Sequence, residues 1–451
     1  MTDLESQVLA PGSEAGRADS AFRIPRSAGS RGLILLLLAA LALSLSAGCS
    51  RQERRGITNL RFVAWGNERE EKSLRSLVAD FEKTHPSVKV ELQIVPWSRM
   101  FDKLMITTAG GRPPDVSRVS STWFHPCAAK GLFKDLGPYV ESDRSFDLGD
   151  FYPQAIEAWG RYRGKLYCLP TDIDIYALYY NKALFDRAGM PYPDWSWDWS
   201  KYLDAAKKLT VTDEAGKRVQ WGTAVDQFWQ SYIHQNGGSV VSGDLRRCTL
   251  DEPAAYGAIQ WESDLINMCH VAPTAEESAE IGALKLFENG KIGMYISGSW
   301  AAELQFAKDK VPFTYDVAPL PKGKKRVSFF GGAAYAIMSR SEHDREAWEL
   351  VKWMTGPEYQ RRAAVESQII PSRRSVAESG AYLKLDKPPK HRAVFLKMIP
   401  YGRADPPVPV APEMREIIGA ELSLAILGRE SAKTACKKVR PVIDQLLRHG
   451  E

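Results

Sequence analysis

Indole, amide, hydroxyl and carboxylate side chains recur in this chain where short apolar runs end. Residues 60–64 give way to Trp65-Gly66-Asn67-Glu68, residues 116–119 to Ser120-Ser121-Thr122-Trp123, and residues 292–296 to Ser297-Gly298-Ser299-Trp300. Flat aromatic surface covers apolar C–H faces, and planar amides and carboxylates satisfy hydroxyls, so such loops suit the holding of a polyhydroxylated ligand. Two carboxyls at a set separation could instead cut a glycosidic bond, and Glu68 with Asp172 could be posed that way. No acid/base signature, nucleophile elbow or phosphate loop accompanies them, which favours binding over catalysis. The seven histidines show no His-Glu-x-x-His or other ligand spacing and Cys-x-x-Cys is absent, so neither a metal site nor a cofactor is expected.

Loops of this kind need elements to hold them. Residues 60–64 read as a strand, and Leu74, Leu77, Val78 and Phe81 follow at helical spacing until His85-Pro86 ends the helix. Val88, Val90, Leu92 and Ile94 then alternate as one face of a half-buried strand. Strand, helix, strand implies a parallel pair in a helix-covered sheet. Ligands of open α/β sheets bind beyond the carboxyl ends of the strands, which is where the first two polar loops fall. Further along, strands are expected over 166–170 and 173–180, around Thr171-Asp172, and again over 292–296 and 335–338. Helices are expected over 181–188, 200–209, 254–268, 285–288, around Ala347 to Met354, and over 414–427 and 431–447 with a break at Gly428.

Charge is nearly balanced, with 60 basic residues against 55 acidic. Only Lys322 to Arg326 cluster, and that run reads as a solvated turn, so nothing points to nucleic acid. The amino-terminal region carries Arg17, Arg23, Arg26 and Arg31 ahead of an apolar run over 32–46 that ends Leu45-Ser46-Ala47-Gly48-Cys49. The run is too short to span a bilayer. It resembles a bacterial lipoprotein signal, which implies cleavage after residue 48 and lipid on Cys49; an ordinary secretory signal or an uncleaved anchor are the alternatives. Residues 49–56 would form a polar tether. The remaining ~400 residues exceed what one hydrophobic core holds, so two lobes are expected. Beyond Cys49, five cysteines remain, an odd number, and buried thiols compete evenly with one or two bridges.

Several phrases, weak singly, keep one order over some 300 residues: Phe81-Glu82-Lys83-Thr84-His85-Pro86, Pro114-Asp115-Val116, Leu178-Tyr179-Tyr180-Asn181-Lys182-Ala183-Leu184-Phe185, Ala205-Ala206-Lys207-Lys208-Leu209-Thr210, Gly290-Lys291-Ile292-Gly293-Met294 with Gly298-Ser299-Trp300, and Gly331-Gly332 before Tyr335. In these the chain resembles the extracellular solute-binding proteins of ABC importers, in the sugar-binding branch that includes the maltose-binding type. The resemblance implies a periplasmic-binding-protein fold: two α/β lobes crossed three times by the chain, with the solute enclosed in the cleft by hinge closure. Carried over, the crossings fall near 169–171, 327–329 and 371–374. Lobe one then comprises 57–170 plus 328–372, and lobe two 171–327 plus 373–451. The implied role is capture of a mono- or oligosaccharide outside the cytoplasm, by a lipid-anchored monomer, for delivery to membrane permease subunits. A non-sugar solute is the alternative within the binding class, and a lipid-anchored glycoside hydrolase the alternative outside it.

The resemblance also picks out ligand residues. Trp300 matches a position that stacks on sugar, and Trp65, Asn67 and Glu68 match a ligand loop, although Glu68 also suits the first turn of a helix. Ser120, Ser121, Thr122 and Trp123 match a loop that hydrogen-bonds hydroxyls, and helix capping explains the hydroxyls equally well. Asp172 and Asp174 lie where the family presents a carboxylate; one is expected to face the cleft and the other solvent, with Asp172 preferred. Gln227, Phe228 and Trp229 match a loop of the second lobe. Gly331 and Gly332 suit either close backbone approach or a hinge. Trp195, Trp197 and Trp199 read as structural. Arg415 stands near where some relatives supply a stacking aromatic, which weighs against a long malto-oligosaccharide.

Overall fold

The computed structural model describes residues 56–225, 229–278, 281–306 and 311–450. The expected signal segment, Cys49, the tether apart from Gly56, and the candidates Gln227 and Phe228 lie outside the described residues. Among those described, strands form a five-stranded sheet, an eight-stranded sheet and a two-stranded pair.

The smaller sheet begins as the periodicity requires. β1 (Thr58–Trp65) and β2 (Val88–Val95) pair in parallel, with α1 (Glu68–Thr84) between them in sequence. α1 buries Leu74, Leu77, Val78 and Phe81, and its start is fixed by a reciprocal cap. The Asn67 carboxamide oxygen accepts the N–H groups of Arg69 and Glu70, each at 2.9 Å, while the Glu70 carboxylate accepts the Asn67 N–H at 3.0 Å. A second helix, α2 (Trp97–Ala109), leads toward β3 (Val116–Ser120), which joins the other edge of β1 in parallel. β4 (Cys168–Pro170) completes this sheet with a late-arriving strand described below.

The larger sheet is organised by β5 (Asp172–Asn181), whose antiparallel partners include β6 (Ile292–Gly298), Tyr315–Ala318 and Ile370–Pro371. β7 (Ser328–Gly331) also pairs with β5, Phe330 opposite Ile175, whereas β8 (Ala333–Ile337) lies between β3 and β4 in the smaller sheet. The chain therefore leaves the smaller sheet at Thr171 and returns to it at Gly332, a few residues after the expected 327–329. Backbone and side chain lock the two passages together. The Thr171 N–H donates to the Ala333 carbonyl at 2.8 Å, and the Ala333 N–H to Asp172 Oδ1 at 2.6 Å.

Three helices pack against one another: Pro253–Asn267, Ala411–Ile426 and Ala432–His449. The last two are separated at Gly428, whose φ of +72° suits a residue without Cβ. Cys127, Cys168, Cys248, Cys269 and Cys436 stand as unbridged thiols, all but Cys269 buried. Among the described residues no helix is long and apolar enough to cross a membrane, and no cluster of His, Cys, Asp or Glu could hold a metal ion.

Candidate functional site

A cleft of about 660 Å³ opens where β1, β3 and β5 meet the residues following β6. A cavity of about 700 Å³ lies elsewhere and shares no lining residue with it. The cleft is the better candidate for the principal site because aromatic faces and convergent polar groups from both sheets meet there.

Aromatic surface comes from each sheet. Trp65 ends β1, Trp97 opens α2 and is half exposed, and both rings pack against the buried Trp123, with centroids 5.5 and 5.3 Å away. From the larger sheet, Tyr176 on β5 stacks on Phe329 of β7 at 4.9 Å and meets the edge of Trp300 at 5.6 Å. Alternation places Tyr176 on the same face of β5 as Asp172 and Asp174, so one strand supplies both carboxylates and a ring. All three line the cleft.

Arg118, buried in β3, organises the polar part. Its guanidinium donates to Asp172 Oδ2 at 3.1 Å, to the Trp65 carbonyl at 3.0 Å and to Glu70 Oε1 at 3.4 Å, and lies 4.3 Å over the Trp65 ring. Burial opposes its charge, but Asp172 and Glu70 outweigh that and hold its pKa above the ordinary value. Asp172 is heavily engaged: Oδ2 also accepts from Thr171 Oγ1 at 3.2 Å, and Oδ1 accepts from the Ala333 N–H. Asp174 is less engaged, with one long contact of 3.4 Å from Ser299 Oγ. Burial, reinforced by the Asp172 charge, pushes its carboxyl up to about 8. Asp174 is therefore the carboxyl with capacity left for a ligand hydroxyl.

The β3 loop adds hydroxyls. Ser120 Oγ and Thr122 Oγ1 share a hydrogen bond of 3.0 Å, leaving one O–H of the pair to point elsewhere. Ser121 is spent on the chain crossing: its N–H donates to the Gly332 carbonyl at 2.9 Å and its Oγ accepts the Gly332 N–H at 3.1 Å. Asn67 uses its carboxamide oxygen in the helix cap, which leaves its N–H₂ for the cleft.

Of the expected residues, the structure gathers Trp65, Asn67, Ser120, Ser121, Thr122, Asp172, Asp174, Trp300 and Gly332 around the cleft. It does not bring in Glu68, which is exposed on the first turn of α1 while helical rotation turns Glu70 inward in its place. Trp123 lies beneath the cleft floor, its ring against Trp65, Trp97 and Phe101. Trp229 is buried at the start of its helix and lines a small separate cavity. Gly331 is packed too closely for a cleft wall: a Cβ there would sit 2.6 Å from both Phe329 and Ser121 Oγ. The expectation that one aspartate faces the cleft and one faces solvent fails on strand geometry, since residues two apart share a face. Glu70, Trp97, Arg118, Tyr176, Phe329 and Arg415 line the cleft without having been singled out as ligand residues. A capping-box spacing would have found Glu70, and an arginine within an apolar strand run would have flagged Arg118. Arg415 is ion-paired with Asp405.

The chain has measurable relatives. The model of the family described as bacterial extracellular solute-binding protein matches residues 65–361. A galactooligosaccharide-binding protein of Bacillus subtilis is 26% identical over 398 residues, which is 85% of this chain and 89% of the relative. In structure the chain is similar to an ABC substrate-binding protein from Listeria monocytogenes in complex with cycloalternan, with a TM-score of 0.79 and 26% identity over 86% of this chain and 99% of that one. It is also similar to the GacH receptor of Streptomyces glaucescens, solved unliganded and with acarbose, with a TM-score of 0.73 and 25% identity over 87% of this chain and all of the other.

Proposed function

The chain belongs to the bacterial extracellular solute-binding protein family, and from that premise we propose that it captures an oligosaccharide in the cleft and hands it to the permease of an ABC importer. The carrying observation is the facing of aromatic surface from two sheets, Trp65 and Trp97 from one and Tyr176, Phe329 and Trp300 from the other, around Asp174, Asn67 and the Ser120–Thr122 pair. Rings for C–H faces with a few planar polar groups are what a carbohydrate selects. The ligands named for relatives, galactooligosaccharide and cycloalternan, set the first panel to try.

The lobes are assigned as about 57–170 plus 332–372, and 171–331 plus 373–451. The passages at Thr171 and Gly332 support two of the crossings. Trp65 and Trp300 then belong to different lobes, so a solute that touches both binds the closed state better and shifts the population toward it. The site is assigned to holding its ligand without turnover: Glu68 faces outward, and Asp172 is already engaged by Arg118, Thr171 and the Ala333 N–H. The protein acts outside the cytoplasm as a monomer, and Cys49 carries its lipid anchor, as the signal-like segment before it supports.

The test is thermal shift of the purified protein over a glycan panel, with hydrolysis of each glycan assayed in parallel. A saturating oligosaccharide at ~100 times its dissociation constant should add about 2.7 kcal/mol of stability. A panel of mono- and oligosaccharides giving no shift overturns the sugar assignment, and turnover of any of them overturns the transport role.

A further inference from the structure

The charges around the cleft do not balance. Its lining carries two guanidiniums, Arg118 and Arg415, against three carboxyls, Glu70, Asp172 and Asp174, with no lysine or histidine among the described residues. Both guanidiniums are already committed. Arg118 serves Asp172 and Glu70 together, and Arg415 pairs with Asp405, a further carboxyl outside the lining. Asp174 is left over: it has no ion-pair partner among the described residues, and its hydrogen bond from Ser299 Oγ is long at 3.4 Å. Asp174 is also reachable from the cleft, being partly exposed where Asp172 is buried.

A carboxyl so placed has two ways to settle. Without a cation it keeps its proton: burial, with the Asp172 and Glu70 charges, pushes Asp174 up to about 8 against the pull of Arg118 and the Ser299 bond. With a cation brought by the ligand it ionises, and the local balance closes. A ligand hydroxyl satisfies the hydrogen bond but leaves the charge unanswered. The neighbouring rings favour a cation as well. Tyr176 follows Asp174 on the same face of β5, with Trp300 edge-on to it at 5.6 Å, and the negative faces of such rings attract ammonium groups. The cleft already uses that attraction once, where the Arg118 guanidinium lies 4.3 Å over the Trp65 ring.

We propose that the captured solute is an amine-bearing oligosaccharide, with its ammonium paired to Asp174 beside the Tyr176 and Trp300 rings. This deepens the oligosaccharide-binding reading above and rests on it. On binding, the Asp174 O–H bond breaks, the proton leaves to solvent, and the carboxylate accepts charge-assisted N–H bonds from the ammonium. Arg118 does not compete for Asp174, since Asp172 and Glu70 hold it at 3.1 and 3.4 Å. Selectivity over the hydroxyl counterpart follows, because a neutral sugar supplies no charge for the carboxylate.

The test is calorimetric titration of the ligand-free protein with saccharides offered in pairs that differ only in amine against hydroxyl. Chitobiose and chitotriose are set against cellobiose and cellotriose, and amino-deoxy maltose and maltotriose against the parent sugars. A pH of about 6.5 keeps such amines charged, as it does an α-amino group, while Asp174 still holds its proton. At least one amine should bind at least tenfold more tightly than its hydroxyl counterpart. Its binding should release close to one proton per chain, seen as a dependence of the heat on the ionisation enthalpy of the buffer. Asp174→Asn should reduce the preference, a ratio that a general loss of affinity leaves unmoved, to less than about threefold and abolish the proton release. Hydroxyl forms that bind as tightly as the amines overturn the amine assignment and leave sugar capture standing. A preference that survives in Asp174→Asn, or amine binding without proton release, overturns the pairing with Asp174. Failure of every saccharide to bind counts against the proposed function and takes this inference with it.

Discussion

Arg118 and Asp172 form a buried ion pair, 3.1 Å from Nη2 to Oδ2, that joins the middle of β3 to the first residue of β5. The pair therefore ties the smaller sheet to the strand that organises the larger one, directly beneath the ligand cleft. The same guanidinium supports the Trp65 ring from below and holds Glu70 at 3.4 Å. A ligand platform and an inter-sheet tie thus depend on one side chain.

Arg118→Ala should accordingly be among the most damaging single substitutions in the cleft. Removing one member of a buried pair leaves an uncompensated charge and costs about 3–5 kcal/mol. Urea unfolding at pH 7 measures this. A loss below ~1 kcal/mol would mean that the pair is solvated and that Asp172 needs no partner.

How much of this site was legible beforehand is uneven, for physical reasons. β1, α1 and β2 follow from local periodicity, and the loops after β1, β3 and β6 carry their ring and hydroxyl groups in plain view, so Trp65, Ser120, Thr122 and Trp300 could be named. Arg118 stands out as a charge in an apolar strand, but its role does not, because that lies in Glu70 and Asp172, which are 48 and 54 residues away. Tyr176 and Phe329 look like ordinary strand residues until β7 pairs with β5 and stacks them. Glu68 stands at the loop end and so looks like the ligand carboxylate, but helical rotation turns it outward and brings Glu70 to the cleft.

Asp174 predicts a pH dependence of stability whose sign is set by its raised pKa, about 8 when folded against ~3.9 when unfolded. Between those values the folded protein keeps a proton that the unfolded chain gives up, so this residue's contribution erodes as pH rises through the window. Asp174→Asn, uncharged throughout, should flatten the decline: relative to wild type it should be more stable at pH 8 than at pH 4. Parallel curves for the two proteins from pH 4 to pH 8 would show that Asp174 ionises as freely as an exposed carboxylate.

Gly332 is confined by its neighbours as well as by its backbone. Its φ is +154°, and a Cβ there would lie 2.3 Å from the Asp172 carbonyl oxygen. Gly332→Ala should therefore cost at least ~2 kcal/mol, from strain and overpacking together. Gly131→Ala is the control, with φ +65° and nothing within 4 Å of the added carbon, for which ~1 kcal/mol is expected from backbone conformation alone. Equal melting temperatures for the two variants would remove the argument for a collision at the crossing.

Trp300 is half-buried and its ring lies over Gly298, where an added Cβ would fall 1.9 Å from the indole. That contact gives two independent ways to disturb one platform. Trp300→Ala deletes the ring and should abolish most of the ~2.7 kcal/mol ligand stabilisation expected at 100 times the dissociation constant, with under ~1 kcal/mol lost from the ligand-free protein. Gly298→Ala leaves the ring but forces it from its seat, and should also weaken sugar binding. Because both act through the same indole, their effects on affinity should not add, and the double variant should bind no more weakly than Trp300→Ala. Full additivity, measured as dissociation constants for the four proteins, would mean that Gly298 acts on the ligand by another route. A large loss of stability in ligand-free Trp300→Ala would mark the ring as core instead of ligand platform.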